Sequence, residues 1–132
     1  MLTTEIKVEI SCGELIDKLT ILSIKKEKIQ DIEKLKNVEH EFQVLSKLST
    51  NLIDINPEQF DIFYNELREI NFILWEIEDN IRKFEKKENF GESFVQLARS
   101  VYKTNDKRFE IKNNINSFYS SGIKEEKNYE KY

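Results

Sequence analysis

The first ten residues alternate in character: Ile6, Val8 and Ile10 are apolar, while Glu5, Lys7 and Glu9 are charged. A period of two puts the apolar side chains on one face of an extended chain. It predicts a short strand over residues 1–10. A lone strand leaves its backbone groups without partners. The internal partner the sequence offers is the C-terminal segment at Ile123-Lys124-Glu125. A second copy of the chain is the alternative.

From Ser11 onward the period becomes helical. Ser11-Cys12-Gly13-Glu14 has the spacing of a capping box, and Leu15, Leu19, Leu22 and Ile29 follow as an apolar stripe. A second stripe, Leu35, Val38, Phe42, Leu45 and Leu52, is out of phase with the first by about one residue. The mismatch predicts a break near Asp31, which can cap a second helix. One long helix with a local distortion is the other reading of residues 12–55.

The clearest boundary is Asn56-Pro57-Glu58-Gln59. Asn56 suits the N-cap, Pro57 the first helical position, and Gln59 the far corner of a capping box. Phe60, Phe63, Leu67, Ile70, Leu74, Ile77, Ile81 and Phe84 then recur in alternating steps of three and four, a coiled-coil-like seam. Glu88-Asn89-Phe90-Gly91 interrupts it. A further helix carries Phe94, Ala98, Val101, Ile111 and Ile115, with Asn105 and Arg108 breaking its seam at mid-length, and ends near Ser120-Ser121-Gly122. The predicted fold class is all-α: an antiparallel bundle of three to four long helices. It forms one domain over residues 1–132, with a charged, partly disordered tail over 120–132.

Composition supports few turns and excludes several functions. The chain has 132 residues with only 3 Gly and 1 Pro, the residues that frequent turns consume. Its 21 basic and 25 acidic residues give a net charge of −4, which lacks the basic field of a nucleic-acid binder. No apolar run approaches the roughly 20 residues that span a bilayer, and the first residues carry no leader pattern. The single Cys12 has no partner for an intrachain disulfide, so a reducing, cytoplasmic setting is expected. Neither Cys12 nor the lone His40 sits in a metal-ligand spacing. No cofactor and no metal are expected.

The chemistry of interest lies in the interruption of the last helix. A short turn makes the two long helices antiparallel neighbours. With that turn near residues 89 and 90, Asn71 lies level with Arg108, Trp75 with Thr104 and Asn105, and Glu78 and Asp79 within a turn of Arg99 and Tyr102. Asn71, Trp75, Glu78 and Arg82 also form one stripe beside the seam. An unpaired charge inside a bundle costs several kcal/mol. Pairing of Glu78 and Asp79 with Arg99 and Arg108 is therefore expected, with bidentate geometry available. Such a layer either fixes helix register or forms a pocket. In a pocket, guanidiniums take a phosphate or carboxylate and Trp75 supplies a stacking face.

Glu14 with Asp17, Glu66 with Glu69, and Glu76 with Asp79 are carboxylate pairs at helical spacing. Each pair could share a hard cation such as Mg²⁺. The last two resemble the E-x-x-E and E-x-x-D motifs of the all-α nucleotide pyrophosphatases, but those enzymes place the motifs on separate helices with a longer gap.

Four segments carry a wider resemblance. They are Gly13-Glu14-Leu15-Ile16-Asp17-Lys18-Leu19-Thr20-Ile21-Leu22, then Leu74-Trp75-Glu76-Ile77-Glu78-Asp79 with Asn71, then Leu97-Ala98-Arg99-Ser100-Val101-Tyr102 with Asn105-Asp106 and Arg108, and Glu125-Glu126-Lys127 with Tyr129. In this order they resemble a small family of bacterial and phage proteins classed as a domain of unknown function, from about residue 8 to 129. The family has Glu at the place of Ser23 and Ser at the place of Asn128. The resemblance implies a helical domain and no assigned activity. Its motif positions include most of the polar layer and add Glu14, Asp17, Lys18 and the Glu125-to-Tyr129 tail, with Asp106 in the third segment.

The leading expectation is a non-enzymatic binding or self-association module with a charged layer between helices. It would be a homodimer, binding a small anionic ligand through Asn71, Trp75, Glu78, Asp79, Arg99, Tyr102, Asn105, Asp106, Arg108, Glu14, Asp17 and Lys18. The alternatives are a Mg²⁺-dependent enzyme acting on a nucleotide or nucleotide-sugar phosphate, and a purely structural scaffold of phage origin.

Overall fold

The structure, a computed structural model, describes residues 3–132. Five helices pack together: α1 (Cys12–Lys28), α2 (Ile32–Leu48), α3 (Thr50–Ile55), α4 (Pro57–Lys86) and α5 (Glu92–Phe118). The fold is all-α. No helix among the described residues is long and apolar enough to cross a membrane.

Local signals place the helix starts. Asp31 caps α2, its side chain accepting from the Lys34 N–H at 3.0 Å, and Asn56 caps α4 the same way from Gln59 at 3.0 Å. These bonds satisfy N–H groups that a helix start leaves unpaired. The predicted break near Asp31 is present, so residues 12–55 are not one helix. The second predicted helix is itself split at Ser49, whose hydroxyl turns back to the Ser46 carbonyl at 2.7 Å, and the short α3 follows. Ser11 caps α1 by accepting from the Glu14 N–H at 3.1 Å. The reciprocal half of the capping box is missing because the Glu14 carboxylate is drawn to Lys112 on α5.

The predicted N-terminal strand is a correction. Met1 and Leu2 lie outside the described residues, and residues 3–10 are in neither strand nor helix. Pairing with Ile123-Lys124-Glu125 does not occur, because the tail after Gly122 runs along α5 instead. There Glu125 pairs with Lys112 at 3.1 Å and Lys127 lies over the Phe109 ring.

α1 is the hub. It packs against α2, α4 and α5, whereas α2 packs on α1 and α3 alone. Its buried residues, Gly13, Leu15, Ile16, Asp17, Leu19, Thr20, Leu22 and Ile24, extend around most of its circumference, as befits a helix enclosed by neighbours. α4 and α5 run antiparallel, since Phe63 near the start of one meets Phe118 and Tyr119 at the end of the other. The core cluster joins Ile16, Phe60, Phe63, Leu67 and Ile115. The α4 seam is buried at Phe60, Phe63, Leu67 and Ile77, and only half-buried at Ile81 and Phe84. α1 ends level with Glu76, which its Lys28 meets at 3.2 Å, so beyond that point one neighbour is gone.

The start of α1 rests directly on α5. The Gly13 N–H donates to Asn116 Oδ1 at 2.7 Å and the Cys12 N–H to Ser121 Oγ at 3.2 Å. A Cβ on Gly13 would lie 2.6 Å from the Lys112 carbonyl oxygen. That contact involves backbone and cannot be relieved by a rotamer change. Gly13→Ala is expected to cost about 1–3 kcal/mol, the usual range for overpacking, and to lower the midpoint of urea unfolding. Gly122→Ala, where a Cβ meets nothing within 4 Å, should leave it unchanged.

Candidate functional site

The polar residues of α1, α4 and α5 converge on Asp17, which has no exposed surface. Arg108 grips it with two hydrogen bonds, Nε to Oδ1 at 2.9 Å and Nη2 to Oδ2 at 2.5 Å. Asn71 donates from one Nδ2 both to Asp17 Oδ1 and to Thr20 Oγ1, each at 2.9 Å. The Thr20 hydroxyl in turn donates to the Asp17 carbonyl at 2.7 Å. A carboxylate this deep is tolerated because both oxygens are bonded and a guanidinium neutralises it. The hydrogen bond from Arg108 to Asp17 raises the guanidinium pKa and outweighs the opposing effect of its own partial burial.

A second ion cluster lies one turn toward the α1 N-terminus. Lys112 is buried, 4% exposed, and its Nζ donates to Glu14 Oε2 at 2.8 Å and lies 3.1 Å from Glu125 Oε1. Burial pulls the Lys112 pKa down. Bonding to Glu14, the field of Asp17 and the contact with Glu125 together push it up, and the net shift is upward.

Above the Asp17–Arg108 pair opens a cleft of about 470 Å³, lined by Ile21 and Ile24 of α1, Asn71, Leu74, Trp75, Glu78, Asp79 and Arg82 of α4, and Asn105 and Arg108 of α5. Six of the predicted residues therefore share one cavity: Asn71, Trp75, Glu78, Asp79, Asn105 and Arg108. Asp17 lies against Arg108, from within the core. The others lie elsewhere. Glu14 holds Lys112, and Lys18 reaches Glu14 at 3.8 Å on the surface. Arg99 is exposed and bonds Gln96 on its own helix. Tyr102 and Asp106 belong to a neighbouring groove of about 410 Å³ that Asn105 also lines. In that groove Tyr102 meets the Tyr132 ring edge-on at 5.4 Å, and Tyr132 Oη donates to Asp106 Oδ2 at 2.5 Å. The bond to Asp106 pushes the Tyr132 phenol up to about 12.

Among the described residues, the expected pairing of Glu78 and Asp79 with Arg99 and Arg108 does not form. Glu78 pairs with Arg82 at 3.5 Å and Asp79 with Lys83 at 3.4 Å, both within α4. The carboxylate that answers Arg108 comes from α1. Two signals in the sequence point that way. Ile16, Thr20 and Ile24 give α1 a second buried stripe, and Asp17 lies at its edge. On α5 the step from Arg108 to Lys112 and Ile115 continues the seam and carries Lys112 inside.

The model of a family of unknown function, DUF6165, matches residues 6–132. The chain belongs to that family. No curated protein and no solved structure matched it. For a DUF6165 chain the match therefore brings no activity.

Two expectations test the buried network. Arg108→Met strands a sealed carboxylate and should cost about 3–5 kcal/mol in urea unfolding. Asp17→Asn should cost less, because Arg108, with 28% of its side chain exposed, can turn toward water. The reverse ranking would show that Asp17 is not sealed. The raised Lys112 pKa means that its ion pairs contribute fully below an ordinary lysine pKa, about 10.4, and are lost as pH rises through the higher folded value. Melting temperature measured from pH 8 upward should fall across that alkaline window, and Lys112→Met should flatten the fall.

Proposed function

We propose that the protein is a binding module whose cleft between α1, α4 and α5 takes a small ligand with a flat or apolar body and an anionic head. The observation that carries this reading is the state of Arg108. A guanidinium has five N–H donors. Two go to Asp17, and among the described residues no acceptor bonds the other three. Asp17 fixes the fork in one orientation, so a ligand acceptor meets donors that are already ordered. Preorganisation of this kind lowers the entropic cost of binding.

The rest of the cleft fits the same ligand. Trp75 offers an aromatic face beside Ile21, Ile24 and Leu74, and Asn105 adds polar groups near Arg108. The volume falls within the range of small-molecule sites, about 300–1,000 Å³. Glu78 and Asp79 would repel an anion if bare, but Arg82 and Lys83 neutralise them. Among the lining residues there is no His, Cys, Ser or Thr to serve a nucleophilic reaction, which favours binding over catalysis. The Mg²⁺-dependent reading needs converging carboxylates. Glu14 is held by Lys112, Glu76 by Lys28, and Glu69 opens on a different groove.

A thermal-shift panel of aromatic carboxylates, nucleotides and nucleotide sugars tests the proposal. A compound bound only by the folded state stabilises it by about 2.7 kcal/mol at a hundredfold excess over Kd, which is readily seen as a higher Tm. Trp75→Leu and Asn105→Ala should each weaken that shift while the apo protein stays folded. A panel without any shift rejects the ligand reading and leaves the network as a structural device.

A further inference from the structure

The N-terminal segment is poorly satisfied within its own protomer. Among the described residues, no backbone–backbone hydrogen bond involves residues 3–10. Ile6 and Val8 are 83% and 72% exposed, more than any other described aliphatic side chain. Its internal candidate partner is committed elsewhere: Glu125 to Lys112, Lys127 to Phe109 and Tyr132 to Asp106. Such a segment is a ready template for pairing with another chain.

We infer that it pairs antiparallel with the same segment of a second copy, about a two-fold axis at Val8. The sequence is self-complementary in that register. Val8 faces the partner's Val8, Ile6 faces the partner's Ile10, and Lys7 faces the partner's Glu9, the last two pairs occurring twice by symmetry. All six apolar side chains then share one face, and every charged pair is of opposite sign. Shifting the axis to Lys7 sets Lys7 against Lys7 and Glu5 against Glu9, and like charges directly opposite destabilise a ladder. Shifting it to Ile6 sets Val8 against the polar Thr4 at both of its occurrences and Ile10 against Leu2. Ile10 is already partly covered by its own protomer, which holds the segment beside the start of α1. The proposal is independent of the cleft. Two paired strands alone are only marginally stable, so the dimer is expected to depend on concentration.

The test uses the full chain. Sedimentation should show a concentration-dependent dimer. Lys7→Glu and Glu9→Lys should each weaken it by about tenfold, with helical circular dichroism unchanged. Mixing the two variants should restore association as a heterodimer, because each charge again meets its opposite. In a Cys12→Ala background, Val8→Cys should oxidise to a disulfide-linked dimer, since directly opposed strand residues lie about 4.5–5.5 Å apart at Cα, within disulfide reach. Lys7→Cys should not cross-link efficiently. A monomer at all concentrations, no change from either charge reversal, or equal cross-linking at positions 7 and 8 would each overturn the proposal.

Discussion

The architecture turns on one carboxylate that water cannot reach. Asp17 sits where α1, α4 and α5 meet, and an ionised group there is admissible only if other helices deliver donors to it. α5 supplies the Arg108 fork and α4 the Asn71 amide. Because both partners lie on different helices from Asp17, the three helices are locked in axial register as well as in contact. Apolar packing alone would not do this, since a seam of aliphatic residues tolerates sliding by a turn far better than a bidentate ion pair does.

The same constraint explains the close approach at the α1 N-terminus. With Asp17 fixed on Arg108, residues 12–14 are carried onto the last turns of α5. The backbones there approach too closely for any side chain at position 13. The N–H groups that begin a helix are then satisfied by Asn116, Ser121 and Ser11, and Glu14 leaves its local capping role for Lys112. One buried pair therefore ties together a glycine, a cap and a second ion cluster.

It also links stability to the proposed role. Arg108 is both the neutralising partner of Asp17 and a lining residue of the cleft. A guanidinium held by a buried carboxylate keeps its plane fixed while part of its donor set stays open. A structural network and the proposed binding site are thus not competing descriptions. The first would give the second its geometry.

Much of this was legible in the residues. The all-α class, the caps at Asp31 and Asn56, the turn near Gly91 and the polar interruption at Asn105 and Arg108 are local features, set by periodicity and capping chemistry within a few residues of chain. The level of Asn71 with Arg108 followed from antiparallel geometry once the turn was placed. What could not be read was the third helix. Taken as a two-helix pair, α4 and α5 offer Glu78 and Asp79 as the nearest partners for Arg108. Only the tertiary structure inserts α1 and buries Asp17, so desolvation selects the partner: a sealed carboxylate needs the guanidinium, while exposed ones are satisfied by water and a lysine or arginine one turn away. The N-terminal alternation was equally plain in the sequence, yet a strand exists only where another strand answers its hydrogen bonds. The sequence determined that residues 6–10 are suited to pairing; packing decided that the protein's own tail, held along α5 by Lys112, Phe109 and Asp106, is not the partner.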